Sequence, residues 1–203
     1  GVEFETVYVW MPDWPETHEY LMMLEDKGYP ITVIMADKRK YEGGFNLYNH
    51  CLKYKMMPGF KRWCTVDYKI HHLKKYYQRP CFEMVGISTD EIKRAAIRSE
   101  DGIERRYPLV ERDVSRAECK NIIKTHGLPL PIKSGCFFCP YQRREQWKSL
   151  RRNHPDLYCK ALELEKITGR NLPLSNKPLE TVINERNTYL FDDMAYPPCQ
   201  CGL

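Results

Sequence analysis

Phe4-Glu5-Thr6-Val7-Tyr8-Val9-Trp10 decides how this chain is read. The stretch is apolar and β-branched or aromatic, which predicts a buried strand. Met11-Pro12-Asp13-Trp14-Pro15 breaks it. Residues 16–27 then read as a helix, with Tyr20, Leu21 and Leu24 on one face and Gly28 as the stop. Residues 31–35 form a second short strand. Strand, helix and strand at this spacing make a βαβ unit, which requires parallel pairing and a right-handed crossover.

Downstream, residues 46–54 and 65–78 read as helices, the second with Val66, Ile70, Leu73 and Tyr77 on one side. Residues 82–87 are expected as a third strand, followed by a helix over 90–98 with Thr89 or Asp90 as its N-cap. Residues 107–110 are expected as a fourth strand. Ser115 and Glu118 have capping-box spacing for a helix that ends at His126-Gly127. A helical pair covers 143–153 and 155–166, with Pro155 in a first turn. From Gly169 onward the chain reads as irregular. The expected division is a core over 1–130 and a cysteine-bearing, helical segment over 131–203.

At 203 residues, with 42% hydrophobic and 29% charged residues, the chain has the composition of a globular domain with a substantial core. No run suits a membrane span and no signal-peptide pattern opens it, so a cytoplasmic setting is expected. The net charge of +5 suits an anionic partner such as a nucleotide, a sulfate or nucleic acid, and equally a solvated charged surface. The nine cysteines are odd in number and cluster as CxxC and CxC. That pattern suits ligation in a reducing compartment better than a disulfide ladder. Cys119 and Cys159 fall in helical patterns and are expected to be buried, inert thiols.

Lys133-Ser134-Gly135-Cys136-Phe137-Phe138-Cys139-Pro140 carries the chemistry. Two thiolates two residues apart can grip one metal or one corner of an iron–sulfur cluster; they can also be a redox pair or two core thiols. Cys51, Cys64 and the Cys199/Cys201 pair are the other thiols available outside strong helix-core patterns. The preferred four-ligand set is Cys64, Cys136, Cys139 and one of Cys199 or Cys201, with zinc and a [4Fe–4S] cluster both acceptable. Arg62 and Lys69 flank Cys64 and could receive a phosphate or sulfate. Glu91 and Arg94 follow a predicted strand end, where open parallel sheets bind ligands.

The stretches RWCTVDYKI, VGISTDEIKRA and YPLVERDVSRAECKNIIKTHGLPLPIKSGCFFCPYQ together resemble the phosphoadenosine phosphosulfate reductase-like family. That family belongs to the adenine-nucleotide α-hydrolase-like superfamily. The resemblance runs over about residues 4–165 and is closest to a phage- and mobile-element-borne branch with a terminal CxC. It implies a doubly wound, mostly parallel α/β domain that binds an adenine nucleotide at its strand ends. Cys64 matches the first of the family's tandem cysteines, but Thr65 stands at the second. Lys69 matches the second basic position, and Tyr68 replaces the first. Gly86 and Glu91 match the next motif, Arg94 lies near its basic position, and Ser88 replaces its arginine. Cys201-Gly202-Leu203 is similar to the mobile C-terminal tail of the thiol-dependent reductases. The glycine- and serine-rich phosphate loop of the superfamily has no counterpart, and residues 4–10 correspond to the family's second strand.

The resemblance therefore implies an enzyme that reduces a sulfonucleotide, or that uses ATP-dependent adenylation for sulfur transfer. An iron–sulfur or zinc site, a thiol reductant protein and a nucleic-acid substrate belong to that expectation. The alternative is a non-catalytic nucleotide- or nucleic-acid-binding module with a structural zinc.

Overall fold

The computed structural model describes residues 4–35, 47–95, 102–133, 135–173 and 177–185. It is a mixed α/β structure in two compact units. Among the described residues, the first unit combines those up to Leu73 with those from Lys133 onward, and the second spans Lys74–Ile132. The break between Ile132 and Lys133 falls close to the expected boundary near residue 130, but the residues up to Leu73 group with the cysteine-bearing segment rather than with Lys74–Ile132. The CxxC segment packs into the same unit as the N-terminal strands. No helix among the described residues is long and apolar enough to cross a membrane.

In the first unit, β1 (Thr6–Val9) pairs in parallel with β2 (Ile31–Ile34), in a register that runs from Thr6↔Ile31 to Val9↔Ile34. The Trp10 N–H continues the ladder to the Ile34 carbonyl at 2.9 Å. The crossover is α1 (Pro15–Asp26), with Pro15 in its first turn, where no N–H is needed. Gly28, at φ +85°, ends it as expected. The core lies between helices: α2 (Leu47–Tyr54), α7 (Arg144–Asn153), α8 (Pro155–Thr168) and α9 (Leu179–Asn184). Trp147, Leu150, Leu164 and Leu179 are fully enclosed there.

The expected helix over 65–78 begins earlier and is not uniform. α3 (Trp63–Thr65) runs into a π-helical turn (Val66–Ile70) and then α4 (His71–Tyr76). Single π turns inside helices recur at functional sites.

In the second unit, β3 (Cys81–Met84) pairs in parallel with β4 (Ile103–Arg106). The fourth strand thus precedes residues 107–110, which instead form the short helix α5 (Pro108–Glu111). Pro108 cannot donate to a ladder and suits a first helical turn. The strand hid in the sequence because three of its four residues are charged; Ile103 is its buried anchor, and Arg105 pairs with Glu83. The expected α-helix over 90–98 is a 3-10 helix (Thr89–Arg94) within the described residues, and it follows Ser88 with no side-chain cap. Asp90 turns its carboxylate to the Arg116 N–H at 2.5 Å instead. The capping box opens α6 (Arg116–Thr125) as read: the Ser115 hydroxyl accepts from the Glu118 N–H, and Glu118 accepts from the Ser115 N–H.

Candidate functional site

The CxxC loop is held rigidly, and its fixings run through the backbone. The Cys139 N–H donates to the Cys136 carbonyl at 3.0 Å, and the Gln142 N–H to the Cys139 carbonyl at 3.0 Å. The two intervening residues point inward. Phe137 is 5% exposed and Phe138 fully buried, the latter edge-on to Tyr48 with ring centroids 5.4 Å apart. Both cysteines remain only partly buried. Burying the phenylalanines anchors the turn in the core and leaves the thiols at its rim.

Two partners clamp the loop from outside. The Gln142 side chain donates to the Phe137 carbonyl at 2.6 Å and accepts from the Trp14 indole at 3.1 Å. On the other flank, Asp13 and Cys136 form an isolated antiparallel bridge. The Phe137 N–H donates to the Pro12 carbonyl at 3.0 Å, and the Trp14 N–H to that of Gly135 at 3.3 Å. The CxxC turn is therefore fixed to the segment that leaves the carboxyl end of β1. Ligands of open parallel sheets bind on that side.

Asp13 itself is 6% exposed. Its Oδ2 accepts from the Tyr8 hydroxyl at 2.5 Å, while Oδ1 is buried with no hydrogen-bond partner among the described residues. Burial, and then the Asp13 charge, raise the Tyr8 phenol far above its ordinary value, so it stays a donor. Reading the sequence passed over this pair. Its only signal was a carboxylate between Pro12 and Trp14 in an otherwise apolar turn.

A third segment reaches the loop. Gly59, at φ +90°, is buried against Pro140; a β-carbon there would stand 2.7 Å from the Pro140 Cγ. The Tyr141 hydroxyl donates to the Gly59 carbonyl at 3.1 Å. Lys61 and Arg62 follow, both in left-handed backbone at φ 53° and 52°. Such conformations are costly for residues with a β-carbon and concentrate at functional sites. Arg62 directly precedes the helix that carries half-buried Cys64, and Lys69 lies on the π turn.

The thiols divide by environment. Cys51, expected outside the helix core, is fully buried in α2. Its burial, and then the Cys64 thiol nearby, push it up to about 12, which makes it an inert protonated thiol at neutral pH. Cys159 is exposed on α8 and Cys119 half-buried on α6, rather than enclosed as expected. Cys199 and Cys201 lie outside the described residues. Among the described residues no group of three or more His, Cys, Asp or Glu is placed to hold a metal ion. Cys64 therefore does not join Cys136 and Cys139 in a three-thiol cup. The CxxC turn has the shape for two ligands, and the described residues do not fit a whole four-thiolate site.

Glu91 and Arg94 belong to the second unit, in the 3-10 helix that follows the carboxyl end of β3. They pair with each other at 2.8 Å, and Glu91 also faces Arg116 at 3.9 Å. A cavity of about 360 Å³ beside α6, lined by Arg112, Glu118 and His126 among others, contains none of the residues expected to bind a substrate or a metal.

No protein-family model, no curated protein and no solved structure matches this chain.

Proposed function

We propose that this chain is a phosphoadenosine phosphosulfate reductase-like enzyme acting on an adenylyl substrate in sulfur chemistry. That covers reduction of a sulfonucleotide and adenylation for sulfur transfer. One observation carries the reading: the close packing of Gly59 on Pro140, which sets the Lys61-Arg62 segment beside a CxxC turn bridged to the carboxyl end of β1. A basic segment that follows a glycine packed on the residue after a CxxC turn suits a substrate that carries phosphate or sulfate. The proposal includes a doubly wound sheet, supported by two strand pairs that are both parallel. In it, Arg62 and Lys69 of the first unit receive the anionic groups. Cys136 and Cys139 face the reacting sulfur.

Equilibrium binding to the 203-residue chain tests this, with adenosine 5′-phosphosulfate, its 3′-phosphorylated form and ATP as ligands. Binding of at least one of them is expected, weakened about tenfold or more in Arg62→Ala, the cost of one charge-assisted hydrogen bond. Failure of all three ligands to bind, or an unchanged affinity in Arg62→Ala and Lys69→Ala alike, would refute it.

A further inference from the structure

The thiol pair carries an inference that goes beyond the nucleotide reading and does not depend on it. We infer that Cys136 and Cys139 form a redox-active dithiol that exchanges electrons with a disulfide-bearing thiol carrier.

The argument begins with the turn. A chain reversal closed from the Cys139 N–H to the Cys136 carbonyl brings the two α-carbons within about 7 Å. A disulfide spans α-carbons about 4.4–6.8 Å apart, so a turn of this span is compatible with the bond. The turn is also fixed whichever state its sulfurs adopt. Phe137 and Phe138 anchor it in the core, Gln142 holds the Phe137 carbonyl, and the Asp13 bridge holds Cys136 from the other strand. None of these contacts uses a cysteine sulfur. Oxidation and reduction therefore leave the scaffold intact, as repeated cycling requires.

Access separates this pair from Cys51, and closure of one turn separates it from the other partly buried or exposed cysteines. Exchange needs a sulfur that an incoming disulfide can reach, and both cysteines are only partly buried. Cys51 shows the contrary arrangement, with a fully buried side chain. Among the described residues no third donor joins the pair to make a metal-holding group.

The step balances without further reagents. One thiolate of the pair attacks a sulfur of the carrier disulfide; a mixed disulfide forms and the carrier's second sulfur leaves as a thiolate. The remaining cysteine then attacks its neighbour's sulfur, closes the Cys136–Cys139 bond and expels the second carrier thiolate. Two electrons pass to the carrier, which ends as two thiols once the thiolates take protons from solvent. Run in reverse, the same exchange recharges the dithiol.

The test uses the reduced, chelator-treated chain in glutathione buffers of graded oxidised-to-reduced ratio, with alkylation and peptide mass spectrometry as the readout. Cys136 and Cys139 are expected to lose alkylation together, to be recovered as one disulfide-linked peptide, and to return when reduced glutathione is restored. Cys51 is expected to titrate separately. Cys136→Ser and Cys139→Ser chains should each stop short of the intramolecular bond, with at least one trapped as a mixed disulfide with glutathione. The inference is overturned if both cysteines alkylate fully at every ratio, or if they oxidise only to other cysteines. It is equally overturned if zinc or iron, added to the reduced chain without oxygen, binds stoichiometrically and protects both thiols from alkylation and exchange. Nucleotide binding takes no part in these outcomes, so the two proposals fail separately.

Discussion

Asp13 and Cys136 stand directly opposite each other across an antiparallel bridge, in the register where flanking backbone bonds leave the facing pair itself unbonded. Side chains approach most closely in that register, with β-carbons about 4.5–5.5 Å apart. A buried carboxylate, oriented by Tyr8 on β1 five residues before it, thus shares a face with the first cysteine of the CxxC turn. The bridge ties the strand end to the chemistry, and several consequences of this packing can be measured.

Tyr8→Phe removes the donor to the Asp13 Oδ2 and leaves a buried carboxylate with neither oxygen satisfied. A loss of about 1–3 kcal/mol in urea unfolding is expected. Asp13→Asn in the same chain should recover part of it, because the charge is gone. Equal losses in the single and double variants would mean that the hydroxyl and the carboxylate are not coupled.

Gly59→Ala places a β-carbon against the Pro140 ring and forces alanine into a backbone that favours glycine. The expected cost is about 1–3 kcal/mol, with faster alkylation of Cys139 as the loop loosens. Wild-type stability in this variant would refute the close packing of Gly59 on Pro140.

His50 and Cys51, neighbours on α2, set opposite pH limits. Burial lowers the His50 imidazole below its ordinary 6.5, so the unfolded chain takes up this proton more readily, and stability falls as pH drops below that value. Burial raises Cys51 from 9.0 to about 12, so the unfolded thiol ionises first, and stability falls as pH rises across that interval. Chemical denaturation from pH 5 to 11 should therefore show losses at both ends. His50→Gln should flatten the acid limb, and Cys51→Ala should flatten the alkaline one between pH 9 and 10, below the range in which Tyr8, Tyr48 and Tyr77, also raised by burial, add to it. Limbs unchanged in these variants would assign the pH dependence to other groups.

Glu165 accepts from the N–H groups of Leu172 and Leu179, at 2.9 and 3.1 Å. Glu165→Leu strands both donors, and a loss of about 1–3 kcal/mol for each that stays buried is expected, with reduced helical signal from α9. Glu165→Gln keeps an acceptor and should be milder. If the two variants match, the caps do not stabilise α9.

What the sequence disclosed about the fold was local. The β1–α1–β2 order, the Ser115–Glu118 capping box and Pro155 at a first turn are decided by residues a few positions apart, and the structure follows them. β4 escaped notice because its charged residues are satisfied by partners such as Glu83, remote in sequence. Residues 169–185 read as irregular because the cap on α9 comes from Glu165, fourteen residues before Leu179. The CxxC pair was visible as a motif. Its setting was not, since Asp13, Gly59 and Gln142 acquire their roles only through contacts that no spacing rule encodes.

The first unit is interrupted: Lys74–Ile132 are spelled out between its two parts. A ribosome therefore releases β1, α1 and β2 well before the cysteine turn exists. The second unit, among the described residues one unbroken stretch, is free to fold in that interval. Closing so long a loop costs only about 0.6 kcal/mol more per doubling of its length, so the delay is one of timing rather than stability. Until Cys136 emerges, the Pro12 carbonyl and the Trp14 N–H wait without their partners. The thiol turn is thus set in place only after the second unit has been synthesised, and a nascent chain has no assembled thiol turn until both parts of the first unit have met.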